Sequence, residues 1–213
     1  RRGQAAPWPP RRDVALMGIR IQTGDITKVH ADVIVNAANP VMLGGGGVDG
    51  AIHKIAGTDL RDLCWHVHAD EEGVRCPVGS VRPTPAGDLP AKWVFHTVAP
   101  IKELRRESGE LRVGEQRVKE AADRVKASLD MRGILKKIAI LALGMDLKTI
   151  AIPALGCGVY GWTHEEVADI AMRWARDFRD WPLEITFCLF QPEAAAIWLE
   201  AAERYGFEPE VGL

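Results

Sequence analysis

The chain has 213 residues and a mass of 23.4 kDa, a length that suits one domain with a substantial core. Its 27 basic and 29 acidic residues give a net charge of −2, which argues against a polybasic nucleic-acid groove and against an acidic disordered tail. The sequence contains no apolar run long enough to cross a bilayer, and the basic N-terminus has no apolar stretch behind it. We therefore expect neither a membrane span nor a signal peptide.

The chain order predicts a tail followed by one α/β domain. Residues 1–13 are rich in Arg and Pro and predict a flexible tail or linker, and residues 14–213 predict a single domain. Short apolar runs typical of strands occupy 14–23, 33–35, 93–98, 149–152 and 184–190. Helical spacing occupies 48–56, 59–70, 114–143, 163–178 and 193–205, with a possible break at Gly133 and a terminating glycine at Gly144.

This alternation of strands and helices predicts a mostly parallel sheet covered by helices on both faces. In such sheets, ligands bind beyond the carboxyl ends of the strands. Two glycine-rich segments lie at such ends, one after the predicted strand 33–35 and the other after the predicted strand 149–152. Their position is the main functional signal in the sequence.

The first glycine-rich segment is the run 44–47, which leads directly into a predicted helix. Each glycine costs roughly 1 kcal/mol relative to Ala in ordered structure, and a purely structural turn needs only one or two. Four in a row indicate a backbone that approaches a ligand closely and directs its N–H groups at it. The positive end of the following helix suits phosphate, whereas the alternative interpretation is a flexible surface loop.

The second glycine-rich segment, 156–161, reads Gly-Cys-Gly-Val-Tyr-Gly and matches G-x-G-x-x-G literally. A dinucleotide-binding fold uses that motif at its first strand–helix junction, but here it comes late in the chain. Thr163 and Glu166 form a predicted capping box, so the helix begins after the third glycine. The segment predicts a loop that wraps phosphate. Neither loop ends in Gly-Lys-Ser/Thr, which argues against an NTPase.

The ordered set of motifs resembles the macrodomain family, specifically its MacroD-like branch. The resemblance runs from about Ile19 to Tyr205, and the matching segments are 24–27, 35–39, 43–53, 95–100 and 152–161. It implies a three-layer α/β/α fold around a mostly parallel, mixed sheet. It also implies binding of ADP-ribose and ADP-ribosylated proteins, with removal of ADP-ribose from acidic side chains or deacetylation of O-acetyl-ADP-ribose.

The resemblance also implies residue roles. Asp25 would accept the adenine amino group, Ile26 would offer its backbone N–H, and Phe190 would pack on the adenine ring. Asn39 would hydrogen-bond the distal ribose, and Trp162 stands where an aromatic residue, commonly Phe, flanks that ribose. The diphosphate would lie between two sets of loop residues, Gly46, Gly47 and Val48 on one side and Gly156, Gly158, Val159, Tyr160 and Gly161 on the other.

Asp49 would be the catalytic carboxylate, acting with Asn39 on a water molecule without a metal or cofactor. Two phosphate charges beside a carboxylate would increase its basicity, but whether Asp49 takes a proton or orients the water and ribose stays open. The alternative is a helix-capping role. His53, on the same helical face, is either a partner of Asp49 or a structural hydrogen-bonding residue. We interpret Asn36 as a loop-holding residue and His96 as a core histidine.

The four cysteines include no C-x-x-C pair, so the sequence predicts reduced thiols, a cytoplasmic location and no structural zinc site. Many MacroD-like relatives have Ser-Thr where this chain has Gly156-Cys157, and we interpret Cys157 as a small packing residue. Three functions remain open: an ADP-ribosyl-ester hydrolase, a non-catalytic ADP-ribose reader, and a nicotinamide-dependent oxidoreductase suggested only by G-x-G-x-x-G. Nothing in the sequence requires more than a monomer.

Overall fold

The computed structural model describes residues 17–102 and 113–212. The strands are β1 (Gly18–Thr23), β2 (Ala31–Ala37), β3 (Val81–Pro85), β4 (Ala91–Thr97), β5 (Thr149–Pro153), β6 (Glu184–Leu189) and β7 (Glu210–Gly212). The helices are α1 (Gly47–Ala56), α2 (Thr58–Trp65), α3 (Val113–Gly144), α4 (His164–Asp177) and α5 (Pro192–Arg204). A 3₁₀-helix, Ile26–Lys28, follows β1.

The strands form one sheet in the order β3-β4-β2-β5-β6-β1-β7. Every neighbouring pair is parallel except β3 with β4, so the prediction of a mostly parallel, mixed sheet is confirmed. The sequence prediction missed β3 and β7, the two edge strands. Their composition explains this, because β3 reads Val-Arg-Pro-Thr-Pro and prolines are tolerated only where a strand has a free edge.

Two hydrophobic cores lie on opposite faces of the sheet, which confirms the three-layer α/β/α prediction. Side chains alternate between the faces along each strand, so Val33 and Val35 enter one core while Ile34 enters the other. Helices α3, α4 and α5 cover the larger core, and α1 and α2 cover the smaller one. Central strands buried on both faces read as continuous apolar runs, as the sequence suggested.

Helix α3 ends at Gly144, as the sequence predicts, but it differs from the prediction in two details. It passes through Gly133 without a break, and its chain reversal uses Asp146, at φ 55°, where Gly144 was expected. The N–H of Leu147 donates to the carbonyl of Ala142 at 2.9 Å, and that of Asp146 donates to Leu143 at 3.1 Å. These bonds form a Schellman motif with Asp146 in the left-handed position.

The remaining element boundaries agree with the sequence to within a few residues, with two exceptions. Helix α2 ends at Trp65, well short of the predicted residue 70, and β1 begins at Gly18. The predicted tail 1–13 and the predicted strand start at Val14 lie outside the described residues. Within the described part of the chain, no helix combines the length and the hydropathy that a membrane span requires.

Candidate active site

The two glycine-rich loops lie side by side at the carboxyl ends of the strands, because β2 and β5 are adjacent parallel strands. Between the loops lies a cavity of about 450 Å³, called here the main cavity. Its walls come from 37–39 and 45–49 after β2, from Ala99 after β4, and from residues between 154 and 160 after β5. The structure therefore brings both predicted loops to one site at the carboxyl end of the sheet.

The walls of the main cavity consist mostly of backbone. Of the fourteen described residues that line it, nine are Gly or Ala and none is Lys or Arg. Helix α1 begins at Gly47, so the positive end of its dipole lies at the carboxyl ends of the strands. An anionic group in the cavity would therefore be held by backbone N–H groups and the helix dipole.

Asp49, in the first turn of α1, is the buried carboxylate of the main cavity. Its residue surface is 3% exposed, and its Oδ1 accepts a hydrogen bond of 2.7 Å from Asn36 Nδ2. Its Oδ2 has no hydrogen-bond partner among the described residues. Burial raises the pKa of Asp49, although the Asn36 hydrogen bond and the nearby His53 partly oppose the effect. A buried carboxylate of raised basicity is suited to accept a proton.

A chain of hydrogen bonds holds Asp49 from behind. Asn36 Nδ2, which donates to Asp49, lies 3.1 Å from His96 Nδ1, and His96 Nε2 lies 3.0 Å from Thr84 Oγ1. Burial lowers the pKa of His96 to about 3, so its ring is neutral. Since Nδ1 accepts from Asn36, Nε2 carries the ring proton and donates to Thr84. This chain fixes the carboxylate relative to β2, β3 and β4.

Asn39 holds the first glycine loop in place. Its Nδ2 donates to the Gly44 carbonyl at 3.0 Å, and its Oδ1 accepts from the N–H groups of Val41 and Met42, both at 3.1 Å. One amide hydrogen of Asn39 remains for a ligand. A Cβ added to Gly45 would lie 3.0 Å from Asp49 Oδ2 and 3.2 Å from Asn39 Nδ2. Both predicted catalytic residues therefore flank the same glycine.

The predicted adenine-binding residues lie together at the carboxyl ends of β1 and β6, on the same side of the sheet as the two glycine loops. Asp25 and Ile26 follow β1, Phe190 follows β6, and these strands are parallel neighbours. Asp25 accepts hydrogen bonds from the N–H and Oγ1 of Thr27 at 3.0 and 2.7 Å, which lower its pKa, and Phe190 is 84% exposed. From β1 to β2 is three strand spacings of about 4.8 Å, or roughly 14 Å in all.

Comparisons with known proteins identify the family. The model of the Macro domain family matches residues 35–171 of this chain. The chain belongs to the Macro domain family. A relative named O-acetyl-ADP-ribose deacetylase, from Klebsiella pneumoniae, is 44% identical over 85% of this chain and 94% of its own length.

Solved macrodomain structures share the fold. The Oceanobacillus iheyensis macrodomain with ADP matches at a TM-score of 0.70 and 31% identity, covering 85% of this chain and 88% of that one. The Trypanosoma brucei macrodomain in complex with ADP-ribose matches at a TM-score of 0.66 and 31% identity, covering 88% of this chain and 70% of that one. The resemblance inferred from the motifs is thereby confirmed.

In this macrodomain, Trp162 lies away from the main cavity, although the resemblance implied a place beside the distal ribose. The indole is buried, and its Nε1 donates to the Pro100 carbonyl at 2.8 Å. A Cβ added to Gly156, which has φ +78°, would lie 2.6 Å from Trp162 Cδ1. The absence of a side chain at Gly156 therefore makes room for the Trp162 ring. Gly161 also lies outside the cavity lining.

The rest of the second loop agrees with a binding role that does not use Cys157. The Cys157 Sγ lies 3.6 Å from the Thr163 carbonyl, and burial raises the pKa of its thiol to about 12, so it has little thiolate character. The capping box of Thr163 and Glu166 is present, and α4 begins after Gly161 as predicted. Tyr160 lines the cavity, and its pKa is raised by burial and by the charge of Asp49.

The fold brings together His53, Cys64 and His96, whose potential metal-binding atoms lie within 4.8 Å of one another. Sequence analysis did not predict this group, because the three residues come from the separate elements α1, α2 and β4. Burial raises the pKa of Cys64 to about 12, and His96 Nε2 already bonds Thr84. We interpret the group as uncharged packing behind Asp49, with His53 Nε2 3.5 Å from Asp49 Oδ1.

Sequence reasoning undervalued two residues of this macrodomain. Asn36 is fully buried and bonds Asp49 directly, whereas the sequence suggested only a loop-holding role. A Cβ added to Gly50 would lie 2.5 Å from the Gly45 carbonyl, so this helix glycine allows the first loop to pack against α1. The signal for Asn36 was its position at the end of a strand buried on both faces, where an amide needs a partner.

Proposed function

We propose that this macrodomain binds ADP-ribose in the main cavity and hydrolyses esters at its distal ribose. Two reactions fit this description, deacetylation of O-acetyl-ADP-ribose and release of mono-ADP-ribose from glutamate or aspartate side chains of proteins. In both reactions, water adds across an ester and yields a carboxylic acid and a free ribose hydroxyl. The deacetylase name of the Klebsiella pneumoniae relative supports the first reaction directly.

The ligand would lie across the carboxyl ends of the strands, from β1 to β2. The adenine would lie near Asp25, Ile26 and Phe190, the diphosphate between the two glycine loops, and the distal ribose beside Asp49 and Asn39. The predicted adenine end and the Asp49 end are separated by three strand spacings, roughly 14 Å, which an extended nucleotide-sugar diphosphate can bridge. The described residues that line the cavity include no Lys or Arg, which favours neutral backbone donors over a cationic phosphate grip.

The observation that carries the proposal is the buried Asp49 carboxylate of the cavity lining, whose Oδ1 is fixed by Asn36 and whose Oδ2 has no hydrogen-bond partner among the described residues. A water molecule in the cavity, hydrogen-bonded to the Asp49 carboxylate, could transfer a proton to it as it attacks the ester. The negative diphosphate would raise the basicity of Asp49 further once substrate is bound. Asn39 would orient the ribose with its remaining amide hydrogen.

Two assays test this proposal and separate it from the alternatives. Titration calorimetry with ADP-ribose and NAD measures the ligand preference, and a clear preference for NAD would favour an oxidoreductase instead. Incubation with O-acetyl-ADP-ribose and with a mono-ADP-ribosylated glutamate peptide measures turnover. Release of ADP-ribose supports the hydrolase, whereas tight binding without release would show a reader.

The variant Asp49→Ala tests the mechanism. We expect turnover to fall by about 100-fold or more, the size of a lost general base, while ADP-ribose binds with similar affinity. The variant Asp25→Ala is the matched control at the other end of the site, where loss of a carboxylate should weaken binding but leave turnover at saturation largely intact. Unchanged turnover in Asp49→Ala would remove this carboxylate from the mechanism.

A further inference from the structure

A second cavity lies on the outer side of the first glycine loop. This outer cavity has a volume of about 450 Å³ and is walled by 43–45 and by residues of α1 and α2, including His53, Lys54 and Arg61. Gly45 lines both cavities. Since a Cβ on Gly45 would lie 3.0 Å from Asp49 Oδ2, only one residue separates the outer cavity from the candidate catalytic carboxylate.

The outer cavity is cationic. Lys54 and Arg61 are both exposed, and none of the described residues that line the cavity is Asp or Glu. The Asp88 carboxylate lies next to the lining residue Gly57, with its Oδ2 3.1 Å from where a Cβ would be. Arg61 and His53 both belong to the lining, which places Arg61 on the cavity side of α2. Two acidic groups of α2, Asp59 and Asp62, lie outside the lining. The described residues include no ion-pair partner for Lys54 or Arg61.

Beyond the outer cavity, α2 carries an exposed aromatic side chain. Trp65, one turn after Arg61, is 61% exposed, and the guanidinium of Arg75 lies 4.8 Å from the centre of its ring. Arg75 itself is only 9% exposed, so the pair provides a flat apolar contact on the Trp65 ring, and the accessible positive charge comes from Lys54 and Arg61. Together, the outer cavity and the Trp65–Arg75 pair form the outer surface.

The first glycine loop leaves an open path between the two cavities. Gly45, Gly46 and Gly47 are exposed and carry no side chains that could obstruct a chain passing over them. An extended peptide advances about 3.3 Å per residue, so the two or three residues next to a modified side chain at Asp49 would reach the outer cavity. A free small molecule has no such connection.

We infer that the outer surface binds an acidic segment of the modified protein, so that this macrodomain prefers ADP-ribosylated side chains flanked by further carboxylates. The inference rests on the proposed function and names the class of protein substrate. Flanking carboxylates would pair with Lys54 and Arg61, and a flanking apolar or aromatic residue would pack on Trp65. O-acetyl-ADP-ribose has no flanking chain and would not contact this surface.

The test compares three substrates: a mono-ADP-ribosylated glutamate peptide with acidic flanks, the same peptide with Ser and Gly flanks, and O-acetyl-ADP-ribose. We expect wild type to favour the acidic peptide by about tenfold in kcat/KM, mainly through KM, because each exposed ion pair is individually weak. This preference should shrink as salt increases. Arg61→Glu and Lys54→Glu should remove it while deacetylation of the small substrate stays unchanged.

Lys148→Glu is the matched control, because it makes the same change in charge on an exposed residue. Lys148 lies at the amino end of β5, whereas the outer surface lies near the carboxyl ends of the strands. The inference is overturned if wild type shows no preference, if the preference survives Arg61→Glu, or if Lys148→Glu reduces it equally. An advantage for an ADP-ribosylated oligonucleotide over the acidic peptide, lost in Arg61→Glu, would assign the surface to nucleic acid and also overturn it.

Failure of the proposed function gives a different result. In that case wild type hydrolyses none of the three substrates. The affinities of the two peptides, measured by fluorescence titration with wild type and Arg61→Glu, then decide the inference without turnover. Equal affinities for acidic and neutral flanks would overturn it, and a preference for acidic flanks that Arg61→Glu removes would support it.

Discussion

Gly45→Ala should separate the placement of the catalytic carboxylate from the stability of the fold. The added methyl carbon would lie 3.0 Å from Asp49 Oδ2 and 3.2 Å from Asn39 Nδ2. An ordinary contact between such atoms is 3.4 Å or more, so one or both side chains must move by a few tenths of an ångström. Because a misplacement of about 1 Å at a reacting group can cost about 100-fold, we expect kcat to fall by about tenfold, or about 1.4 kcal/mol in the barrier.

Gly46→Ala is the control, because it adds the same methyl to the same loop where no protein atom lies within 4 Å. Neither glycine has a positive φ, so neither substitution strains the backbone. Deacetylation of O-acetyl-ADP-ribose at saturating substrate measures kcat without the effect of weaker binding, and thermal unfolding measures stability. Equal kcat values for the two variants would refute the argument that crowding at Asp49 limits turnover.

Three further substitutions test separate features. Burial raises the pKa of Asp49, so the wild-type protein loses stability as the pH rises through the folded-state pKa of this carboxyl. Asp49→Asn should therefore have a higher Tm than wild type at pH 8, and the difference in Tm should shrink at pH 4. Gly156→Ala should lower the free energy of unfolding by about 2–4 kcal/mol in urea denaturation, through positive φ and overlap with Trp162, whereas Gly158→Ala, with neither, should change it by less than about 1 kcal/mol. Asp146→Gly should raise the free energy of unfolding by about 0.5–1 kcal/mol by relieving the left-handed conformation; an unchanged urea midpoint would show that Asp146 is not strained.

Periodicity predicted the central strands and most of the helices because those elements are decided by local pattern. The strand 33–35 reads as a continuous apolar run because it is buried on both faces, and the position of its neighbour β5 follows from parallel topology. The two edge strands were not predicted, because their stability comes from pairing with β4 and β1 and not from a local pattern. Asp146 escaped because a Schellman motif accepts a non-glycine residue when other contacts offset the strain.

The candidate site was predictable where it depends on the backbone and less so where it depends on packing. Glycine runs and strand ends placed nine of the fourteen predicted site residues around one cavity. The role of Asn36 depends on a hydrogen bond to Asp49, 13 positions away. The buried position of Trp162 depends on how its ring packs against Gly156. Neither three-dimensional relation leaves a periodic signal in the chain.

The predominance of Gly and Ala around the main cavity affects how mutagenesis of this protein should be interpreted. Truncation to alanine removes side-chain atoms at only five of the fourteen described wall positions, Asn39 and Asp49 among them, so it leaves most of the wall untested. Informative libraries would instead enlarge residues, and variants that lose ligand binding would accumulate where atoms are added. Natural loss of function in this site would follow the same rule, arising from gained bulk more often than from lost side chains.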